Sequence, residues 1–532
     1  MAADSASQSP WPGYRTYPKR LNLAQEVIGP PMTRGLGSHL ALIGDGGSIS
    51  ITYETLERQV NAVAAGLLRL GLKQGDLALI KMSNCAEFAA AFLAAVKLGI
   101  IPVLVHSMLS GSELKSILEQ AKPRLVFTET VGCEVVRELR RDGLFKDVVC
   151  AGDAAPGEIS FASLLEPSGA SVSTAETAAD EPAFIVYTSG TTGKPKGIVH
   201  AHRWIVTLGD LNRYRLPPQD DDVVMATGEW SFISALGHNL LFPLRNGVTA
   251  AILNGRASPE NVLRCIEKHR VTILYSVATV YRRLLAMANF ERAYDLSSLR
   301  RAHATGEALR EATYNEWQNR VGAELYEHYG VSEYQLVIGQ GVRHPVKPGS
   351  VGKLLPGVSV AILDDDFKPV SKGELGQFAI STKDPGLFLG YYKDRERTEA
   401  VVCNGWYFTG DLAYQDPEGY FYIAGRRDDC FKSRGIFISP TEIENALQKH
   451  PAVIEAAVVS EPDAEIGNKI RAVVVLADSQ PPSNALAQAM REMLRSQLAP
   501  FKIPHKIEFA KSLPKNAVGK ILRTALVAQV KP

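Results

Sequence analysis

The sequence has few cysteines, and their spacing forms no recognisable pattern. Only six of the 532 residues are cysteine, with no C-x-x-C pair and no spacing typical of metal ligands. Scattered thiols in a chain of this length argue against a disulfide framework and favour a reducing compartment. We therefore expect a cytoplasmic protein.

An excess of charge of one sign is also absent. Lys and Arg total 58 and Asp and Glu total 57, which gives a formal net charge of +1. Binding to nucleic acid or to an anionic membrane is favoured by a basic excess. The balance therefore predicts neither partner, and we expect small-molecule substrates and a monomer or homodimer.

Long uninterrupted apolar runs are missing as well. Residues 1–20 contain no apolar core of a secretory signal. The longest apolar stretch, residues 86–105, is interrupted by Glu87, Lys97 and Pro102 and is typical of a buried helix, a turn and a strand. We expect no membrane span, and the 45% hydrophobic and 22% charged content is that of a folded globular protein.

Helical and extended patterns alternate along most of the chain. Apolar residues recur at helical spacing over residues 53–70 and 88–98, and short buried strands are predicted at 76–81 and 100–105. Such alternation predicts an α/β fold of layered, mainly parallel sheets.

The length of the chain and a change in its helix–strand pattern predict two domains. A chain of 532 residues exceeds what one hydrophobic core usually organises. After Gly425 a compact helix–strand pattern begins, which favours a small α+β domain. We expect a large N-terminal domain at residues 1–427 and a small C-terminal domain at residues 428–532.

One Gly/Thr/Lys-rich segment, YTSGTTGKPKG at residues 187–197, stands between two apolar strands. Glycines let backbone N–H groups turn towards an oxyanion, hydroxyls add donors, and lysines add positive charge. The segment is not a Walker loop, because Thr188 replaces the first glycine and Pro195 occupies the Ser/Thr position. It predicts a phosphate-binding loop. The candidate phosphate ligands are Thr188, Ser189, Gly190, Thr191, Thr192, Gly193 and Lys196.

Further boxes follow in order, and together they resemble the adenylate-forming superfamily of acyl- and aryl-CoA ligases, peptide-synthetase adenylation domains and beetle luciferases. The resemblance extends from about residue 52 to residue 523. The boxes are ATGEAL at 304–309, YGVSE at 329–333, WYFTGD at 406–411, GRRDD at 425–429 and PKNAVGK at 514–520.

The resemblance implies a role for residues in each box. ATP, Mg²⁺ and coenzyme A are the implied substrates and cofactor. Ser332 would contact phosphate, Glu333 would hold magnesium, and Lys520 would be the catalytic lysine. The other implied nucleotide-binding positions are Gly306, Glu307 and Ala308 against the adenine, Tyr329 and Gly330 in the glutamate box, and Asp411 and Arg426 at the ribose. The small C-terminal domain would be mobile, with Asp428 as its hinge and Gly435 in the pantetheine channel.

The chemistry explains why these residue types are needed. A carboxylate has a poor leaving group, so it first displaces pyrophosphate from ATP and becomes an acyl-adenylate. Positioning and charge neutralisation accelerate that step. AMP is then a good leaving group for attack by a thiol. The sequence therefore predicts an ATP-dependent, AMP-forming acid–thiol ligase.

The identity of the acid rests on weaker signals. The resemblance implies a pocket lined by Trp230, Phe232, Ser234, Gly237, Thr305 and Leu336. Aromatic and small apolar residues suit a flat, mostly apolar acid, and Ser234 or Gln335 could meet one polar substituent. The local sequence outside the shared boxes is most similar to that of benzoate and 2-aminobenzoate CoA ligases. Leu336, however, stands where those relatives often have histidine.

Alternatives remain open at this point. The acceptor thiol could belong to a carrier protein, and the acid could be medium-chain or alicyclic. A silent nucleotide-binding scaffold and an oxygenase of the luciferase type are further readings. His200 and His202 lack a third ligand, and we reject a zinc site there.

Overall fold

The computed structural model describes residues 16–44, 48–166, 172–189, 195–433, 436–463, 466–477, 480–515 and 521–528. The chain forms two compact units. The first comprises Met1–Ser359 and Ser381–Tyr407, and the second comprises Val360–Ile380 and Phe408–Pro532. The predicted domain boundary between residues 427 and 428 stays a prediction.

Eight strands of the described chain form one sheet of the first unit. Its centre is parallel, and two antiparallel strands extend the edge that carries the Gly/Thr/Lys-rich segment. In spatial order the strands are Gly390–Tyr391, Pro195–Ala201, Pro182–Ser189, Ile101–Leu104, Leu77–Lys81, Leu125–Glu129, Asp147–Ala151 and Ile159–Ser160. The helices of this part are Leu23–Thr33, Tyr53–Arg69, Ala86–Lys97, Gly111–Ala121, Cys133–Arg141 and Phe161–Leu164.

A second, largely parallel sheet of the first unit carries the adenine and glutamate boxes. Its parallel strands are, in spatial order, Leu40–Gly44, Thr249–Ile252, Val223–Ala226, Ile273–Ser276, Arg301–Ala304 and Glu324–Val331. Antiparallel neighbours are Ile49–Thr52, Tyr334–Gly339 and Gly352–Leu354. Helices here are Trp204–Arg215, Ile233–Ala235, the π-helix Leu236–Leu241, Phe242–Asn246, Pro259–His269, Ala278–Ala286, Phe290–Ala293, Glu311–Arg320 and Arg395–Ala400.

Local sequence explains why these elements form. The helix Tyr53–Arg69 begins where the Thr52 hydroxyl accepts a hydrogen bond from the Thr55 N–H, which satisfies one unpaired helical donor. Its buried Val60, Val63 and Leu67 lie on one face, at the spacing of an amphipathic helix. The predicted α/β class with mainly parallel sheets is confirmed. Within the described residues, no helix combines the length and the apolarity needed to cross a bilayer.

The second unit contains antiparallel strands and a small α+β part. The strand Trp406–Gln415, whose first two residues belong to the first unit, pairs with Tyr420–Arg426, and Val360–Leu363 pairs with Gly376–Ser381. A three-stranded sheet follows, made of Val453–Asp463, Gly467–Leu476 and Lys506–Phe509. The remaining elements are strands Phe431–Ser433 and Ile436–Ile438, helices Pro440–Leu447, Asn484–Arg495 and Arg523–Ala528, and the 3₁₀ turns Arg427–Asp429 and Pro500–Lys502.

Candidate active site

Lys196, Glu333 and Tyr391 meet in the first unit. Lys196 Nζ lies 2.7 Å from Glu333 Oε1 and 3.3 Å from the Tyr391 hydroxyl. The same hydroxyl donates to Glu333 Oε1 at 2.6 Å. Glu333 is only 3% exposed. One oxygen of its carboxylate therefore contacts both the Lys196 ammonium group and the uncharged Tyr391 hydroxyl.

Strand pairing brings these three residues together. Lys196 lies in the strand Pro195–Ala201, opposite Thr188 of the strand before the Gly/Thr/Lys-rich loop. The two-residue strand Gly390–Tyr391 pairs with the other edge of Pro195–Ala201. Glu333 lies in the turn between strands Glu324–Val331 and Tyr334–Gly339, and the Phe388 N–H donates to its carbonyl at 2.9 Å.

The surroundings keep the Glu333 carboxylate ionised. Burial alone raises its pKa, but the charge and hydrogen bond of Lys196 and the Tyr391 hydroxyl lower it, and the net shift is downward. Burial and the neighbouring Glu333 charge raise the pKa of Tyr391, which therefore remains a hydrogen-bond donor. An ionised oxygen donor is the ligand type that Mg²⁺ prefers, so Glu333 fits its predicted role.

Thr188, like Lys196, is a predicted phosphate ligand whose side chain the structure describes. Its Oγ1 is buried and lacks a hydrogen-bond partner among the described residues. A buried hydroxyl without a partner is uncommon in folded proteins and suits a ligand oxygen. The backbone of Ser189 continues the strand. The predicted ligands Gly190, Thr191, Thr192 and Gly193 lie outside the described residues.

His200 contacts the other side of the glutamate box. Its Nε2 lies 3.1 Å from the Ser332 carbonyl, which it therefore contacts as a donor. Burial lowers the pKa of His200 to about 3, and the ring is uncharged at neutral pH. Among the described residues no group of three or more His, Cys, Asp or Glu side chains is arranged to hold a metal ion by itself. The contact instead fixes the backbone of the predicted phosphate residue Ser332.

The predicted adenine segment follows the strand Arg301–Ala304. Gly306 has φ +82°, a left-handed conformation that glycine adopts without strain. Glu307 accepts from the Thr279 N–H and lies 3.4 Å from Arg282. The segment ends where the Leu309 N–H donates to the buried carboxyl of Glu327 at 3.0 Å.

Tyr329 and Gly330 lie in the neighbouring strand Glu324–Val331. A Cβ at Gly330 would lie 1.8 Å from the Gln335 carbonyl, so the hairpin requires glycine there. Ala308 completes the predicted set in the segment after Arg301–Ala304. Roles of these residues in binding adenine stay predictions.

Asp411 and Arg426 come together within the second unit. They face each other across the strand pair, with Arg426 Nη1 3.4 Å from Asp411 Oδ1 and 2.9 Å from the Thr409 carbonyl. Gly410 has φ +78°, and a Cβ there would lie 2.8 Å from the Arg426 guanidinium. The structure thus brings the two predicted ribose residues into contact.

The predicted acid-pocket residues divide into two groups. Trp230 is fully buried, stacks edge-on against Phe88 and donates from Nε1 to Asn239 at 2.8 Å. Leu336 is also fully buried. Phe232, Ser234 and Thr305 are half-buried, and Gly237 lies against the amide of Gln335. Their roles in binding an acid stay predictions.

Lys520 and Gly435, like the four loop residues 190–193, lie outside the described part of the chain. Asp428 lies in the 3₁₀ turn Arg427–Asp429, and its role as the hinge stays a prediction. The adjacent Asp429 receives a hydrogen bond from Arg523 at 3.1 Å.

Sequence reasoning missed two contributors. Tyr391 donates to the predicted magnesium ligand, yet it lies in no recognised box and only the pairing of distant strands reveals it. Glu327 is a buried carboxyl whose pKa is raised by burial to about 8. In the sequence, the one feature that connects Glu327 with the site is its position two residues before Tyr329 of the glutamate box.

Comparison with known proteins identifies the family of this chain. The profile of the AMP-binding enzyme family matches residues 33–392, and that of the AMP-binding enzyme C-terminal domain matches residues 442–520. A benzoate–CoA ligase of Thauera aromatica is 33% identical over 96% of this chain and 96% of its own.

Solved structures give the same result. An anthranilate CoA ligase in complex with anthranoyl-AMP superposes with a TM-score of 0.90 at 30% identity, covering 97% of this chain and 98% of that one. A benzoate CoA ligase from Burkholderia xenovorans LB400 gives 0.86 at 28% identity, covering 95% and 99%.

The chain therefore belongs to the AMP-binding enzyme family and has the adenylate-forming fold, with a large N-terminal and a small C-terminal domain. The family match and the ligase names of its relatives confirm the predicted class, an AMP-forming acid–thiol ligase.

Proposed function

We propose that this protein is an ATP-dependent ligase that joins a small aromatic carboxylic acid to the thiol of coenzyme A. The observation that carries the proposal is the contact of Lys196 with Glu333 beside Thr188 of the phosphate loop. It places a cation, an ionised carboxylate and a buried hydroxyl at one edge of the first unit. Relatives that act on benzoate and on anthranilate support the aromatic acid.

In the first step an oxygen of the acid attacks the α-phosphorus of ATP, and the bond to pyrophosphate breaks. Thr188 and Lys196 neutralise and orient the phosphates, because negative charge spreads over the phosphoryl oxygens as the bond breaks. Asp411 and Arg426 anchor the ribose, so that the α-phosphorus faces the acid. Lys520 contacts the acid and the phosphate.

Glu333, with Ser332 beside it, would hold Mg²⁺. The ion supplies Lewis-acid stabilisation of charge on the phosphoryl oxygens when it is bound. The downward pKa shift of Glu333 keeps its carboxylate charged for this role. Tyr391 and Lys196 orient the carboxylate through their bonds to Oε1.

In the second step the thiol attacks the carbonyl of the acyl-adenylate and AMP leaves. We propose that Lys520 acts only in the first step, that Asp428 is the hinge of the C-terminal domain between the two steps, and that Gly435 belongs to the pantetheine channel. Free coenzyme A is the proposed acceptor. Six cysteines without disulfide partners support a reducing, cytoplasmic location.

The test is a pyrophosphate-release screen across aryl, alicyclic and straight-chain acids, followed by mass analysis of the product with coenzyme A. We expect small aromatic acids to give the highest kcat/KM and the product to be the aryl-CoA thioester. A clear maximum at octanoate would overturn the aryl assignment and leave the adenylate chemistry standing. Release of pyrophosphate without a CoA thioester would indicate a carrier-protein acceptor.

A further inference from the structure

A buried hydrogen bond joins the strand that follows the glutamate box to a segment 50 residues further along the chain. The Tyr334 hydroxyl donates to Asp384 Oδ1 at 2.9 Å. Tyr334 is fully buried, and Asp384 is 2% exposed. Both residues belong to the first unit. We call this pair of side chains the clasp.

The Asp384 carboxylate also organises the backbone around it. The Gly386 N–H donates to Oδ1 and the Ser359 N–H donates to Oδ2, each at 3.0 Å. Ser359 ends the first stretch of the first unit, and Ser381, where the chain re-enters that unit, donates to the Ser359 carbonyl at 2.9 Å. A buried carboxylate is tolerated when donors satisfy it, and here three donors do so.

From Asp384 the chain crosses the glutamate box and reaches the predicted magnesium ligand. We call residues 384–391 the strap. Its Phe388 N–H donates to the Glu333 carbonyl at 2.9 Å. The Tyr391 hydroxyl, at the end of the strap, donates to Glu333 Oε1 at 2.6 Å. The strap therefore holds both the backbone and the carboxylate of Glu333.

The start of the strap is packed tightly. Arg203 is 9% exposed, and its Nε donates to the Pro385 carbonyl at 2.8 Å. Its Nη2 lies 3.5 Å from the Leu387 carbonyl. A Cβ at Gly386 would lie 2.5 Å from Cζ of the Tyr334 ring and 2.6 Å from its hydroxyl. The missing side chain thus lets the strap lie directly on that ring.

This arrangement connects the clasp to Glu333 by two routes. Tyr334 follows Glu333 in the chain, so one planar peptide joins their backbones. Asp384 fixes the beginning of the strap, and Tyr391 at its other end holds the Glu333 carboxylate. Because protein interiors are close-packed and transmit small displacements, a shift at the clasp is passed to the carboxylate.

We propose that Tyr334 and Asp384 are positioning residues, whose hydrogen bond sets the position of Glu333 relative to Lys196 and Tyr391. The clasp itself touches neither ATP nor the metal. This inference rests on the proposed function and adds a positioning pair to that site. Groups that orient a metal ligand from behind commonly change metal affinity or activity by about 10–100-fold when they are removed.

The first test removes only the hydroxyl. In Tyr334→Phe we expect kcat for benzoate-dependent ATP–pyrophosphate exchange to fall by about 10-fold. The matched control is Tyr53→Phe, because the fully buried Tyr53 hydroxyl donates to the carbonyls of Leu244 and Val248 at 3.1 and 2.8 Å. The control should lower the urea midpoint of unfolding as Tyr334→Phe does and keep kcat within about 2-fold of the wild type.

A second test asks whether the clasp acts through Glu333. Residues that act as one unit have non-additive effects. Tyr334→Phe should therefore lower exchange in the wild-type background and cause no further loss in the Glu333→Gln background. The same fold-loss in both backgrounds would show a general structural role and overturn the inference.

A third test needs no acid. Calorimetric titration gives the Kd of ATP with Mg²⁺ and with EDTA, and the ratio of the two is the gain that magnesium confers. We expect this gain to be about 10-fold smaller in Tyr334→Phe and unchanged in Tyr53→Phe. Gly386→Ala keeps every side-chain hydrogen-bonding group but adds a methyl against the Tyr334 ring, and it should reduce the gain as well.

The outcomes separate this inference from the proposed function. An undiminished magnesium gain in Tyr334→Phe and Gly386→Ala overturns the positioning role, and so does a wild-type protein without any such gain. If no acid supports exchange in the wild type, the proposed function fails, and the titrations still decide whether the clasp positions Glu333. Gly386→Ala decides the question where Tyr334→Phe does not fold.

Discussion

The side chains of Lys196 and Glu333 form a buried ion pair across 137 residues of sequence, with Nζ 2.7 Å from Oε1. The Tyr391 hydroxyl binds the same oxygen. Removing a carboxylate from water is unfavourable even when it is paired with a cation. A buried, charged Glu333 is therefore better explained by a functional role than by a contribution to stability.

The first prediction concerns that charge. Glu333→Gln keeps the shape of the side chain and removes the charge, so acid-dependent ATP–pyrophosphate exchange should fall by roughly 10²–10³-fold. The exposed Glu396→Gln is the matched control and should exchange at the wild-type rate. Exchange by Glu333→Gln within about 3-fold of the wild type would remove Glu333 from the mechanism.

The second prediction concerns pH and the buried carboxyl of Glu327. Burial raises its pKa to about 8, so the folded protein holds a proton that the unfolded chain releases near the ordinary glutamate value. Stability is therefore greatest below that value and falls as the pH rises to about 8, by at most roughly 1.4 kcal/mol per pH unit.

Glu327→Gln lacks this titration. Urea unfolding of both proteins between about pH 5 and pH 8 should show a smaller loss of stability in the variant. Parallel curves for the two proteins would mean that Glu327 is ionised in the fold.

Local patterns made much of the fold predictable. The strand predicted at 76–81 matches Leu77–Lys81 within one residue, because its apolar run and the turn signal before it lie within a few residues of each other. The helix predicted at 53–70 ends one residue earlier, at Arg69. Glu333, Asp411 and Arg426 were predicted as site residues because each lies in a short contiguous motif. Their roles stay predictions.

The rest depended on strand pairing between distant segments. Tyr391 reaches Glu333 only because the two-residue strand Gly390–Tyr391 pairs with Val199 and Ile198. His238 lies in the π-helix Leu236–Leu241, and its ring lies 4.8 Å from the ring of His328 in the strand Glu324–Val331. No periodicity within one segment reports that His238 and His328 meet.

The third prediction concerns the ribose pair in the second unit. A Cβ at Gly410 would lie 2.8 Å from the Arg426 guanidinium, and the positive φ adds strain for any side chain. Gly410→Ala should therefore displace Arg426 from Asp411 and raise the KM for ATP by about 10-fold, with a smaller change in kcat.

Gly419→Ala is the control for that change. Gly419 also has positive φ, at +90°, but the nearest atom to an added Cβ is the amide nitrogen of Gln415, 3.8 Å away. This variant measures backbone strain without disturbing Arg426. Equal KM values for ATP in the two variants would show that strain alone accounts for the effect.

The last prediction separates the two half-reactions. Lys520 is proposed to contact the acid and the phosphate only during adenylation, so Lys520→Ala should abolish acid-dependent pyrophosphate exchange. Thioester formation from a supplied acyl-adenylate needs no displacement of pyrophosphate and should proceed within about 3-fold of the wild-type rate. Lys511→Ala removes an exposed lysine of the same segment and should preserve both half-reactions. Equal loss of both half-reactions in Lys520→Ala would contradict a division of labour between two positions of the C-terminal domain, because a residue that leaves after the first step cannot be required for the second.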